Sequence, residues 1–217
     1  MNFKVKIIVS IFSLFLMISS LKAQNTQSLL SEVSNKVKSY ENIQIDFKYS
    51  LENTRENVKQ DTRANITLKG DNYVLNMLGV TRIFDGKTIY TIVPEDEEVT
   101  ISDYSKEEDK SISVSEMLTF YEKGYNYKMD IQQNIRGRKI QFIKLSPIDS
   151  NTEIKNILLG IDMQTKHIYK LIQVDSSGTS YTITVNSFKT NQPISQNLFI
   201  FDEEKYTNQG YYINKLE

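Results

Sequence analysis

The stretch IQIDFKYSL, Ile43 to Leu51, alternates without a break. Ile43, Ile45, Phe47, Tyr49 and Leu51 fall on one side, and Gln44, Asp46, Lys48 and Ser50 on the other. That is the two-residue period of a strand with one apolar and one wetted face. The pattern returns along the chain, through Ala64, Ile66 and Leu68 in ANITLKG and through Tyr73, Leu75 and Met77 in DNYVLNMLG. Further β-rich runs follow in TRIFDGKTIYTIV, EEVTIS, YNYKMDIQQ, KIQFIKLS, IKNILLGID, HIYKLIQVD and SYTITVNSF. Asp85-Gly86, between two such runs, predicts a hairpin on a type I′ turn, whose two central residues take positive φ. Weaker turn signals stand at Arg136-Gly137, Gln164-Thr165 and Ser177-Gly178. Pro94, Pro147 and Pro193 fall at strand ends, where a missing N–H does least harm. So many one-sided strands call for a large antiparallel sheet with something laid over its apolar face.

Helical spacing is confined to two places. In TQSLLSEVSNKVKSYEN, the residues Leu29, Leu30, Val33, Val37 and Tyr40 form one stripe, which predicts a helix of about four turns. In SISVSEMLTFYEKG, Ser113 and Glu116 stand at capping-box spacing and Gly124 is placed as a C-terminal stop, which predicts a short helix. The order is then a helix, five strands, a short helix, five more strands and a tail. No linker or internal repeat divides it, so the expectation is one α+β domain.

The N-terminus has the three parts of a secretory signal peptide: Lys4 and Lys6, the apolar run Ile7 to Ile18, then small and polar residues to Ala23. A membrane-spanning helix needs about 20 apolar residues, more than this run supplies. Cleavage after Ala23 makes residues 1–23 the leader and 24–217 the exported domain. Losing Lys4, Lys6 and Lys22 moves a formal net charge of −1 further to the acidic side, which argues against nucleic acid as a partner. Without cysteine, the chain has neither disulfides nor an N-terminal lipid anchor, and its stability rests on packing.

The equipment of catalysis is missing from the sequence. His167 is the single histidine, and neither a Gly-x-Ser-x-Gly elbow nor a His/Cys cluster at metal-ligand spacing accompanies it. The acids Glu95 to Glu98 and Glu107 to Asp109 lack the alternation and glycine of a calcium loop and read as solvated loops. The pattern does not ask for an enzyme, a cofactor or a metal. From composition alone the Met and aromatic residues fill a core.

The run Phe84-Asp85-Gly86-Lys87-Thr88-Ile89-Tyr90 resembles the periplasmic outer-membrane lipoprotein carrier (LolA) family. That family shows Ser-Asp-Gly-Lys-Thr-(aliphatic)-(aromatic) at this hairpin, and Phe84 stands in place of its Ser. VSNKVKSYENIQIDFKYSLEN is similar to the family's opening helix and strand. SSGTSYTITVNSFKTNQPISQNLFIF is similar to its closing segment, with Phe199 and Phe201 as a Phe-x-Phe pair. The resemblance implies an incomplete, open antiparallel β-barrel of about eleven strands with lid helices on its concave side. It implies the periplasm as the destination of the exported domain, and a monomeric carrier that holds the acyl chains of lipoproteins, or of related lipids, and shuttles them from the inner to the outer membrane. An inner-membrane ABC-type release complex would donate the cargo and an outer-membrane acceptor would receive it. The alternatives are a glycolipid carrier, or a sensor of lipids or lipoproteins; sensors of that kind usually carry an extra domain, whereas this sequence stops soon after Phe201.

On that resemblance Ile45, Phe47, Tyr49, Ile66, Leu68, Tyr73, Leu75, Met77 and Tyr90 line the lipid cavity, and Met117, Leu118 and Tyr121 belong to the lid. Two departures stand out. Lys69, Gly70 and Asp71 occupy the place of a Lys-Arg-Pro run whose arginine helps hold the family's lid shut, and the chain has no tryptophan.

Overall fold

The structure is a computed structural model that describes residues 25–104 and 118–216. The expected leader, the capping pair Ser113 and Glu116, and Met117 lie outside the described residues. Residues 25–38 form a helix, α1. After it come β1 (Ile43–Asn53), β2 (Val58–Lys69), β3 (Asn72–Met77), β4 (Val80–Phe84), β5 (Thr88–Val93) and β6 (Glu98–Asp103). A 3-10 turn, Phe120–Glu122, precedes β7 (Tyr125–Ile135), β8 (Arg138–Pro147), β9 (Ile154–Asp162), β10 (Ile168–Asp175) and β11 (Ser180–Thr190). A short helix α2 (Glu203–Asn208) and β12 (Tyr212–Lys215) complete the described chain. No helix among the described residues is long and apolar enough to cross a membrane.

All twelve strands belong to one sheet, in the order β12-β6-β5-β4-β3-β2-β1-β11-β10-β9-β8-β7. Neighbours are antiparallel except β12, which runs parallel to β6. The two ends of the sheet do not pair with each other, so the barrel is incomplete and open. β1 lies at the centre and joins the strands that precede it in space, β2 to β6, to those that return from the C-terminal half. Its cross-strand partners hold the opening alternation in place: Ile43 faces Leu68, Ile45 faces Ile66, and Phe47 faces Ala64.

α1 lies on the concave side. Its stripe inserts Leu29, Leu30 and Val33 among Ile143, Leu145, Ile157, Leu159 and Ile161 of β8 and β9, while Val37 reaches the cluster of β1 to β5. Each such buried aliphatic side chain contributes about 1.5–3 kcal/mol, so the stripe, rather than helix propensity, holds α1 in place.

Several elements differ from the sequence reading. The type I′ pattern of two positive φ values is found at Leu78-Gly79 (55° and 79°) and at Arg136-Gly137 (52° and 78°), between the paired Met77 and Val80 and the paired Ile135 and Arg138. At the Asp85 hairpin only Gly86 has positive φ, at 98°. There the Asp85 N–H donates to the Thr88 carbonyl at 3.3 Å, and the Asp85 carboxylate accepts from the backbone N–H of Lys87 and Thr88 at 2.9 and 2.8 Å. The central pair of the turn is therefore Gly86-Lys87, with glycine first, rather than Asp85-Gly86. β2 starts at Val58, six residues before the apolar alternation begins, because the polar run pairs with the far half of β1. The described part of the expected short helix is the 3-10 turn, closed by Gly124 at φ 84°. Six strands rather than five precede that turn, because TRIFDGKTIYTIV is divided into β4 and β5, and the tail contributes a twelfth.

On the convex side Phe142 is cross-strand to Gly160. A Cβ at Gly160 would stand 2.8 Å from Phe142 Cε1 and 3.1 Å from Ile140 Cγ2, so glycine is required there for close approach. Gly160→Ala is expected to cost about 1–3 kcal/mol by overpacking, read as a lower urea midpoint at unchanged slope. A midpoint equal to that of the parent protein would show that the ring has room to move.

Candidate functional site: the concave face

Register places the expected cavity residues on common ground. Ile45, Ile66, Leu68 and Tyr73 are buried in one cluster with Val37, Ile43, Phe84 and Ile89, and half-buried Phe47, Leu75 and Leu118 pack against it. Met77 stands opposite Ala64, which itself faces Phe47, and Tyr49 stands between Thr62 and Ile183. Ile45, Phe47, Tyr49, Ile66, Leu68, Tyr73, Leu75 and Met77 therefore share the concave face. It grades from sealed side chains beside the end of α1 to half-buried Phe47, Tyr49, Leu75 and Met77. Of the expected lid residues, Leu118 is half-buried. Tyr121 is fully buried among the α1 contacts; enclosure pushes its phenol pKa up, and the charge of Glu122 adds to the effect.

Tyr90 is the exception. The turn pairs Phe84 with Ile89 and Ile83 with Tyr90, so Ile89 takes the concave position and Tyr90 points to the convex side. There it stacks on Phe201 with ring centroids 4.6 Å apart and donates to Asp85 Oδ2 at 3.0 Å. Ile89, Tyr90 and Ile92 make both faces of this strand apolar, so alternation alone does not show which of Ile89 and Tyr90 turns inward. Tyr90 belongs to the convex cluster of Val74, Ile83, Ile92, Val99 and Phe199.

The sequence reading also passed over part of the concave face. Val185 and Phe188 of β11, and Tyr104 beyond β6, pack on the same cluster as Ile45. Tyr181, Ile183 and Val185 alternate, and their parity was legible. Phe188 was not legible by counting, because the β1–β11 pairing shifts between Asp46 and Phe47 and moves Phe188 opposite Ile45. Gly70, in the place of the family's arginine, is a turn residue at φ 58° between β2 and β3.

Between the end of α1 and the β2–β3 turn is a cleft of about 320 Å³. Val37, Tyr40, Ile43, Leu68 and Leu118 supply its apolar lining, and Lys38, Glu41, Asn42 and Asp71 its polar rim. The cleft meets the concave cluster through Val37, Ile43 and Leu68, which line both.

The sequence profile described as "Outer membrane lipoprotein carrier protein LolA" matches residues 79–202. No curated protein sequence matches significantly. Among solved structures, the chain is similar to an uncharacterised conserved protein from Thermus thermophilus, with TM-score 0.59 and 9% identity, covering 88% of this chain and 99% of that one. It is also similar to the LolA superfamily protein NE2245 from Nitrosomonas europaea, with TM-score 0.43 and 13% identity, covering 83% and 98%. A third similarity is to the Pseudomonas aeruginosa MucA/MucB complex, with TM-score 0.45 and 13% identity, covering 83% of this chain and 62% of that one.

Polar contacts pin α1 across the concave face. Glu122 accepts from Ser34 and from Lys38 at 2.6 Å, and Lys166 pairs with Glu32 at 3.2 Å. Beyond the helix, the Tyr40 hydroxyl meets His167 Nε2 at 2.8 Å, and the imidazole stacks on Phe188 at 4.0 Å. Burial lowers the His167 pKa, the Lys36 charge lowers it further, and Asp162 opposes both. A histidine held neutral in the folded state contributes stability above its unfolded pKa of about 6.5. That contribution is lost as pH falls from there through the lower folded pKa. The melting temperature is accordingly expected to drop between pH 7.5 and 5.5, and to drop less in His167→Gln. Parallel pH profiles for the two proteins would contradict the assignment.

Proposed function

The chain belongs to the outer membrane lipoprotein carrier (LolA) family, and on that premise we propose that it is a periplasmic carrier which takes acyl chains onto its concave face. Its cargo is an acylated lipoprotein or a related lipid, moved from the inner to the outer membrane between an ABC-type release complex and an outer-membrane acceptor. The observation that carries the reading is the grading of one continuous apolar face. Ile45, Ile66, Leu68 and Tyr73 are sealed, while Phe47, Tyr49, Leu75 and Met77 on the same face stay half-buried. An ordinary core would seal all of them. Half-buried Met, Leu and aromatic side chains can repack around a guest of variable shape.

The energetics favour an escort. Each methylene withdrawn from water is worth about 0.8 kcal/mol, so exposing about 14 of them costs roughly 11 kcal/mol. A carrier must cover most of that area and still release it. No covalent chemistry is needed, and on this reading the protein is a binding protein rather than an enzyme. Phe47, Tyr49, Leu75 and Met77 then line the cavity, the buried Ile45, Ile66, Leu68 and Tyr73 form its floor, and Leu118 and Tyr121 belong to the cover.

Titration with a fluorescent fatty acyl probe tests this reading. The parent protein is expected to take up the probe near one to one. Met77→Asp or Phe47→Asp is expected to weaken uptake at least tenfold, while a charge placed on the convex side at Thr81 leaves it unchanged. Uptake that is absent, or equally sensitive on both faces, would sink the reading.

A further inference from the structure

The concave face changes character across β4. The row that begins with Ile66 and Leu75 continues into Arg82, Thr91 and Thr100, because Leu75 faces Arg82, Arg82 faces Thr91 and Thr91 faces Thr100. Parallel β12 extends it with Asn214 opposite Thr100. The neighbouring row, Leu68, Tyr73, Phe84 and Ile89, confirms which face this is, since all four are buried in the concave cluster. Ile92, Val99 and Ile213, which alternate with these polar residues, pack in the convex cluster instead. An apolar floor thus runs sideways into a guanidinium, two hydroxyls and an amide on four adjacent strands, within about 15 Å at the usual strand spacing.

Nothing in the sheet requires that change. Thr91, Thr100 and Asn214 could be apolar and pair equally well, and Arg82 is half-buried, with its Nε shut off from solvent. A guanidinium carries five donors in a planar fork that matches carboxylate or phosphate oxygens. Arg82 already has an interaction within the protein, and its donor count leaves capacity for another acceptor. Thr100 donates to Glu98 Oε1 at 3.3 Å, so one carboxylate sits at the outer end of the patch and the cation at its inner end, beside the apolar floor.

We infer that Arg82, Thr91, Thr100 and Asn214 form a headgroup subsite, and that the preferred guest is an acyl lipid whose head is a phosphate or a carboxylate. The inference rests on the reading that the concave face takes acyl chains. The chain would lie over Ile66, Leu75 and Phe47, and its anionic head would meet Arg82, with the hydroxyls and amide completing the shell. An anion partly removed from water beside a guanidinium gains a charge-assisted, bidentate pair that an uncharged head cannot make.

Competition against a neutral fluorescent probe, N-phenyl-1-naphthylamine, separates this claim from the one beneath it. Hexadecanol reports the apolar floor alone. Hexadecyl phosphate and palmitate add a phosphate or a carboxylate to the same chain length. Each anionic competitor is expected to displace the probe roughly tenfold more tightly than hexadecanol, and the tighter of the two identifies the class of head. Arg82→Gln is expected to erase the difference and Arg82→Lys to retain part of it. The double variant Thr91→Val, Thr100→Val is expected to reduce it, which keeps a readout if Arg82→Gln folds poorly. Equal displacement by all three competitors, or a preference that survives the Arg82→Gln and double variants, overturns the subsite while leaving the acyl reading intact. Failure of hexadecanol itself to displace the probe overturns both.

Discussion

The register of β1 is the constraint on which the rest depends. An open sheet has no closure to fix which way each strand faces, so the central strand must do it. β1 pairs with β2 from Ile43 to Asn53 without a shift and with β11 through a single irregularity. A one-residue slip would carry Ile45, Phe47 and Tyr49 to the convex side and bring Asp46 and Lys48 under α1. The segment before the strand is clamped as well: Asn42 donates to the Gln192 carbonyl at 2.9 Å and accepts from the Gln192 N–H at 3.0 Å. The end of α1 and the end of β11 are thereby joined at the same point, and the helix that covers the concave face is indexed to the strand that defines it.

The second problem is that β3 to β5 carry apolar residues on both faces, and β6 on its outer one. Tyr73, Phe84 and Ile89 face inward, while Val74, Ile83, Ile92 and Val99 face outward. The segment after β11 covers the outer side with Phe199, Ile194, Leu198 and Ile213. A chain of aromatic contacts holds it there, Tyr90 on Phe201, Phe201 on Tyr206 at 5.3 Å, and Tyr206 on Tyr211 at 5.1 Å. Asp202 caps α2 by accepting from the Lys205 N–H at 3.0 Å, and β12 then protects the edge of β6. With its back supported by its own tail, this half of the sheet forms a firm wall, and the graded, half-buried surface is left on the concave side.

Much of this was legible in the sequence where a physical rule acts locally. The alternation of β1 and the stripe Leu29, Leu30, Val33, Val37 each report a single buried face, and both are found as expected. The resemblance at Asp85 to Tyr90 pointed to the family and to the open barrel. What escaped was whatever depends on a partner distant in the chain. The polar start of β2 is a strand because β1 pairs with it, and the four-residue β12 exists because β6 offers an edge. Phe188 turns inward only through the irregular pairing of β1 with β11. The outward turn of Tyr90 was hidden because its strand is apolar on both sides, with Ile89 inward and Tyr90 and Ile92 outward, so no alternation marks the inner one. The row running from Leu75 to Arg82 and Asn214 requires the registers of five strands at once, which no linear pattern displays.

The most direct measurement is native mass spectrometry of the protein isolated without detergent from the cells that make it, with the same sample extracted into organic solvent and its lipids identified. The account predicts an acylated protein or lipid bound near one to one, released on extraction. A clean mass for the unliganded chain, together with no uptake of an added acyl probe, would contradict it and make the concave face an ordinary, if loosely sealed, core.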